Sequence, residues 1–335
     1  MIRNLNLFFF VGIIVTMSSC FKEDEMLPAP SHGDVQTDTI AMTETYKYQV
    51  WFRLDSGVVV STNSKTAYDL GFECSNEGWH VILNSSDFAR IADLGPVSFG
   101  AACDTAGIDW KFDKSDGNPD SIAIGQWFVV DVNDTVSNSH VYLIDRGMDE
   151  LGNALGLCQI IFDSLKNSTY YFRYTGWKGG ETKYCQVNKD PTVHYLYFSL
   201  TGSGTIQHIE APKDQYDLEF TQYTTLLFTD LGEAYPYLVT GVLSNRKGVV
   251  VALDTVTPFF DINLEQAKNY DYSSSMDAIG YLWKYYNFDA GTYTVEDNMS
   301  YIIRDRQGYF YKLRFIGFYN KNGQKGYPVI EYQRL

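Results

Sequence analysis

Apolar and polar positions alternate with a period of two along most of this chain. Tyr46 to Phe52 is aromatic and β-branched, a composition that suits strands. Gly78 to Asn84 and Ser168 to Tyr174 alternate in the same way. Gly57-Val58-Val59-Val60 follows a turn at Asp55-Ser56-Gly57, and Gly248 to Leu253 follows a turn that begins at Asn245. Gly308 to Tyr319 is a long alternating run. The turn Asn320-Lys321-Asn322-Gly323 reverses it into Tyr327 to Tyr332, which predicts a terminal hairpin. Helical spacing is scarce; only Phe88 to Leu94 and Leu264 to Tyr270 carry it, for a turn or two each. The pattern predicts an all-β, mainly antiparallel protein.

The pattern also repeats. Trp51-Phe52-Arg53-Leu54-Asp55-Ser56-Gly57 leads to Tyr68-Asp69-Leu70-Gly71-Phe72, and Tyr197-Phe198-Ser199-Leu200-Thr201-Gly202 leads to Tyr216-Asp217-Leu218-Glu219-Phe220. Two further blocks echo in the same order. Asp120 to Trp127 resembles Ser275 to Trp283, and Tyr142 to Gly147 resembles Tyr301 to Gly308. A repeat of this length is a domain rather than a solenoid unit. We expect two tandem β-domains, residues 46–190 and 191–335, meeting in the turn-rich stretch between Lys178 and Thr192, with Glu181 to Val187 as a last strand of the first copy. The aspartates Asp69 and Asp217 fall at equivalent places, which favours a structural role in closing a turn over a catalytic one.

The N-terminus carries an address. Arg3, an apolar run from Leu5 to Val15 and Ser18-Ser19-Cys20 describe a signal peptide over residues 1–19. Cys20 resembles the lipidated cysteine of a bacterial lipobox. Phe21-Lys22-Glu23-Asp24-Glu25 resembles the acidic export signal of Bacteroidetes surface lipoproteins. Residues 20–45 read as a flexible tether, being polar and without periodicity. The expected location is the outer membrane, lipid-anchored and facing the cell surface. A formal charge of −15 disfavours nucleic acid as a partner.

Cys74, Cys103, Cys158 and Cys185 all lie in the first copy. Outside the cytoplasm they are candidates for disulfides, with three connectivities open, and free buried thiols are the alternative. No CxxC spacing points to zinc.

In the second copy, Tyr216-Asp217-Leu218-Glu219-Phe220-Thr221-Gln222-Tyr223, Tyr237 to Asn245, Tyr301-Ile302-Ile303-Arg304 and Tyr311 to Tyr319 stand in an order similar to the HmuY family of Bacteroidetes surface lipoproteins. The resemblance covers about residues 193 to 335, the first copy being a divergent echo. It implies an all-β fold and capture of haem for delivery to an outer-membrane, TonB-dependent receptor. It also implies axial histidine or methionine ligands, the usual neutral donors to haem iron. The paired histidines of the family have no evident match here. The candidate donors are Met276, Met299, His140 and His80.

No Gly-x-Ser-x-Gly, HExxH or P-loop occurs, so an enzyme is not expected. Two alternatives stand beside haem capture. One is a non-haem module that stacks glycans or peptides on Trp79, Trp177 or Trp283. The other is a structural or adhesive lipoprotein.

Overall fold

The computed structural model describes residues 33–131 and 134–335. The signal peptide and Cys20 lie outside the described residues. The first repeat supplies β1 (Gln36–Thr39), β2 (Tyr48–Arg53), β3 (Val58–Ser64), β4 (Leu70–Glu73), β5 (Val81–Leu83) and β6 (Arg90–Asp93). It continues with β7 (Phe128–Asp131), β8 (Asp134–Ser137), β9 (Tyr142–Asp145), β10 (Leu157–Lys166), β11 (Thr169–Gly176) and β12 (Lys183–Asn188). The second supplies β13 (Tyr195–Ser199), β14 (Thr205–Gln207), β15 (Leu218–Phe228), β16 (Ala234–Ser244) and β17 (Val250–Asp254). It ends with β18 (Lys284–Asn287), β19 (Thr292–Val295), β20 (Ser300–Arg304), β21 (Phe310–Tyr319) and β22 (Lys325–Arg334). Every strand pairing is antiparallel.

Two sheets repeat one design. In the first, β12, β11, β10, β9 and β6 lie side by side, with the β7–β8 hairpin joined to β10. In the second, β1, β22, β21, β20 and β17 take the same places in the same order. Trp127 and Trp283 are equivalent in sequence, and both are fully buried.

The repeats are not tandem beads divided at residue 190. Each gives its opening strand to the other. β13 pairs with β4, setting Phe198 opposite Leu70. β2 pairs with β15, setting Phe52 opposite Leu218. The first core therefore combines Leu70, Phe72, Trp127, Phe162 and Phe172 with Leu196, Phe198 and Leu200 from the second repeat. The second core combines Leu218, Phe220, Trp283 and Phe315 with Val50, Phe52 and Leu54 from the first. The physical reason is burial: all five residues of β13 are buried, so the strand needs a core on both faces.

Symmetric hydrogen bonds lock the exchange. Asp69 Oδ2 accepts from the Leu200 amide at 2.6 Å, and Asp217 Oδ2 accepts from the Leu54 amide at 2.8 Å. Asn84 Nδ2 donates to the carbonyls of Lys65 and Tyr68, and Asn245 Nδ2 donates to those of Lys213 and Tyr216. The aspartates are structural, and each closes the turn of the opposite repeat. Arg146 adds to the first site, with Nε 2.7 Å from Asp69 Oδ1.

Three further expectations need correction. The tether does not run to residue 45: β1 pairs with β22, and Ile40 and Met42 are buried in the second core. Residues 88–94 are not helical. Phe88 takes a left-handed conformation with φ 64°, and β6 then pairs with β9. The helix begun at Leu264 stops at Ala267.

Candidate ligand site

A loop of the first repeat, residues 110–123, bridges to the second. Lys111 exchanges two backbone hydrogen bonds with Ile91 of β6, which fixes one end. Asp113 is a buried staple. Its Oδ2 accepts from the Leu83 amide and its Oδ1 from the Ala123 amide, each at 2.7 Å. Burial raises its pKa to about 6, against the pull of those two amides. The far end rests on the turn Met276–Ala278. Ser115 Oγ donates to Asp277 Oδ2 at 2.5 Å, and the Met276 amide donates to the Asp116 carbonyl at 3.0 Å.

Between this loop and the β15–β16 hairpin lies a cavity of about 610 Å³. Trp110, Phe112, Ile122, Leu226 and Pro236 give it apolar walls, and the exposed Lys111 and Lys114 stand at its edge with Asp116 and Asp277. Arg90 lies 4.5 Å from the Trp110 ring centre, and Phe88 packs 5.1 Å from Phe112. These contacts fix the aromatic wall from behind.

The four candidate iron donors do not converge. Met276 is buried and does not itself line the cavity, although its chain neighbour Asp277 does; its side chain packs against Gly117, where a Cβ would come within 2.6 Å of the Met276 sulfur. Met299 packs on the second core, and its sulfur accepts from the Tyr301 hydroxyl at 3.7 Å. His80 stacks on Trp79 with ring centres 4.0 Å apart and holds Glu73 Oε2 through Nδ1 at 2.5 Å. That contact, together with the Ser75 hydroxyl, helps keep the Glu73 pKa below the usual range against the opposing effect of its burial. His140 holds both oxygens of Asp93 through Nδ1. A carboxylate on Nδ1 is the arrangement that orients a metal-binding imidazole. Neither histidine lines the cavity beside loop 110–123. Among the described residues no cluster of three His, Cys, Asp or Glu side chains is placed to hold a bare metal ion.

All four cysteines outside the N-terminal segment are free thiols. Cys74 and Cys158 are buried in the first core, where burial raises both pKa values, that of Cys158 to about 12. Cys103 approaches the Trp177 carbonyl, and Cys185 lies on β12. No disulfide joins them in this structure, which is the alternative left open beside the bridges.

The tryptophan platform also fails as drawn. Trp283 is fully buried and stacked on Phe315 at 3.9 Å, and Trp79 packs against the first core. Trp177 lies under the Lys178 ammonium. The cavity-lining loop escaped the sequence reading. Its signal was available in Trp110 and Phe112 ahead of the turn Gly117-Asn118-Pro119, but a lone aromatic pair carries no periodicity.

No curated protein matches the chain. Among solved structures, apo PinO of Porphyromonas gingivitis is 8% identical, with a TM-score of 0.31 over 90% of this chain and 98% of that one. The apo HmuY analogue of Tannerella forsythia, TFO, is 12% identical, with a TM-score of 0.26 over 91% of this chain and 98% of that one. The profile of the HmuY protein family matches residues 45–332 as one continuous span, across both repeats and not the second alone. The chain belongs to the HmuY family.

Proposed function

We propose that this chain is a haem-binding surface lipoprotein, anchored by lipid on Cys20, that passes haem to an outer-membrane uptake receptor. It is a binding protein and not an enzyme. The observation that carries the reading is the family match over residues 45–332. The cavity beside loop 110–123 supports it. Its 610 Å³ lies within the range of roughly 300–1,000 Å³ for small-molecule sites. Its walls suit an apolar macrocycle, and Lys111 and Lys114 suit the carboxylates at a haem edge. A bound haem would supply an iron open to a neutral donor, and Met276, next in the chain to the cavity-lining Asp277, would be the candidate to hold it.

Absorbance titration with haem, run on variants, tests the placement. Met276→Ala is expected to weaken binding by about tenfold or more, the scale of losing one good contact. Ile122→Arg is expected to abolish it by filling the cavity. His80→Ala and His140→Ala are expected to bind as the parent chain does. Unchanged binding by Ile122→Arg, or its loss in His80→Ala, would move the site away from loop 110–123.

A second reading, a non-haem glycan or peptide module, draws on the exposed aromatic residues Tyr235, Tyr237, Tyr285, Tyr286 and Phe288. Stacking platforms of this kind hold apolar faces of flexible ligands. It becomes the default if no haem spectrum develops.

A further inference from the structure

A second cavity, of about 340 Å³, lies where the turns after β16 and β20 meet the start of the second repeat. Lys213, Arg246, Lys247 and Arg306 line it, against one carboxylate, Glu73. Both oxygens of that carboxylate are already engaged, by Ser75 Oγ at 2.6 Å and His80 Nδ1 at 2.5 Å. Among the described residues none of Arg246, Lys247 or Arg306 forms an ion pair within 4.0 Å.

Buried Glu210 and Glu219 act on Arg246 from the interior, so Arg246 is the partly compensated member of the cluster. The nearby Glu210 carboxylate accepts from the amides of His194 and Tyr195 and from the Tyr216 hydroxyl. His194 donates through Nε2 to Asn245, and burial lowers its pKa to about 4, so it adds no charge at neutral pH. Lys213 reaches only the Pro191 carbonyl. Arg246 lies 4.6 Å from the Tyr195 ring centre, a cation–π contact. Arg306 Nη1 is buried and has no hydrogen-bond partner. An unpaired buried donor is costly, and its ordinary remedy is an acceptor oxygen. Four cations gathered in one concavity of a chain with net charge −15 are a local inversion of the field.

We propose that this cavity binds a multiply charged oxyanion, a phosphate or carboxylate group of a small ligand, with Arg306 and Arg246 as its hydrogen-bonding donors and Lys247 and Lys213 as its counter-charges. The site is separate from the cavity beside loop 110–123 and does not depend on haem. The guanidinium groups suit planar, two-oxygen recognition.

The test is calorimetric titration of the full haem-free chain with inorganic pyrophosphate and, separately, with citrate, at constant ionic strength. Saturable one-to-one binding of either probe is expected, and the probe that binds more tightly identifies the anion as phosphate or carboxylate. The double variant Lys247→Ala/Arg306→Ala is expected to lose at least about tenfold in affinity, because charge-assisted hydrogen bonds are lost. Its haem titration and its thermal unfolding without ligand are expected to match the parent. No binding of either probe at millimolar concentration, or equal binding by the double variant, overturns the proposal. Because the readout needs no haem, its failure is distinguishable from failure of the haem reading.

Discussion

Asp69 and Asp217 each tie one repeat to the other through a single side chain. Each accepts a backbone amide from the residue just past a strand more than a hundred positions away, Leu200 after β13 and Leu54 after β2. Removing the Asp69 carboxylate leaves the Leu200 amide without a partner and Arg146 without its counter-charge, holding only the Leu155 carbonyl and the Thr201 hydroxyl. Asp69→Ala is expected to destabilise the chain by about 3–5 kcal/mol, the cost of breaking a buried pair from one side. Urea unfolding measures it, and a loss below about 0.5 kcal/mol, a surface-like effect, would contradict the role. The repeated Tyr-Asp-Leu was legible in the sequence as a structural motif. Its partner was not, because local spacing says nothing about which repeat supplies the turn. Lys284 poses a different question of charge. Its ammonium lies 4.1 Å from the Trp283 ring centre and 4.9 Å from that of Phe318, and donates to the Thr240 carbonyl. Burial lowers its pKa from 10.5 to about 7. The unfolded chain therefore holds more protons between pH 7 and 10.5, so this residue's contribution to stability rises with pH through that window. The difference in unfolding free energy between the parent and Lys284→Met is expected to shift in favour of the parent as pH rises. A difference that is flat from pH 7 to 10 would show that the aromatic faces and the carbonyl keep the ammonium charged.

At the scale of elements, strand type was readable and strand partnership was not. The period-two pattern located β2, β11, β21 and β22 to within a few residues, and β22 shows it most plainly, alternating buried with half-buried positions. It misread 88–94, where Ile91 and Ala92 are adjacent and both buried by neighbouring strands. Both faces of β13 are buried, so the strand shows no alternation to say which core it enters. The exchange predicts how fragments behave. A chain of residues 46–190 lacks Leu196, Phe198 and Leu200, three side chains of the first core. At about 2–5 kcal/mol for each large buried side chain lost, the deficit is comparable with the whole stability of a domain, roughly 5–15 kcal/mol. This fragment is expected to show no cooperative unfolding transition in circular dichroism. A sharp, reversible transition would mean that the first repeat folds alone.

For the whole molecule, family membership and the all-β class were legible from ordered blocks and periodicity. The two cavities were not. Both cavities are built from loops that meet only after folding: residues 110–123 against β15 and β16, and Arg246 and Arg306 from separate turns. Histidines and methionines attract attention in a sequence as iron donors, yet none of Met276, Met299, His140 and His80 lines the large apolar cavity; Met276 is only the chain neighbour of its lining residue Asp277. The positive cavity is hidden within an acidic total charge, which averages it away. Haem capture remains the claim on which the functional account rests. Its most direct test is absorbance titration of the purified full chain with haem in both oxidation states. The account predicts a saturable, one-to-one Soret shift with a low-spin spectrum. A titration that follows free haem throughout would contradict it.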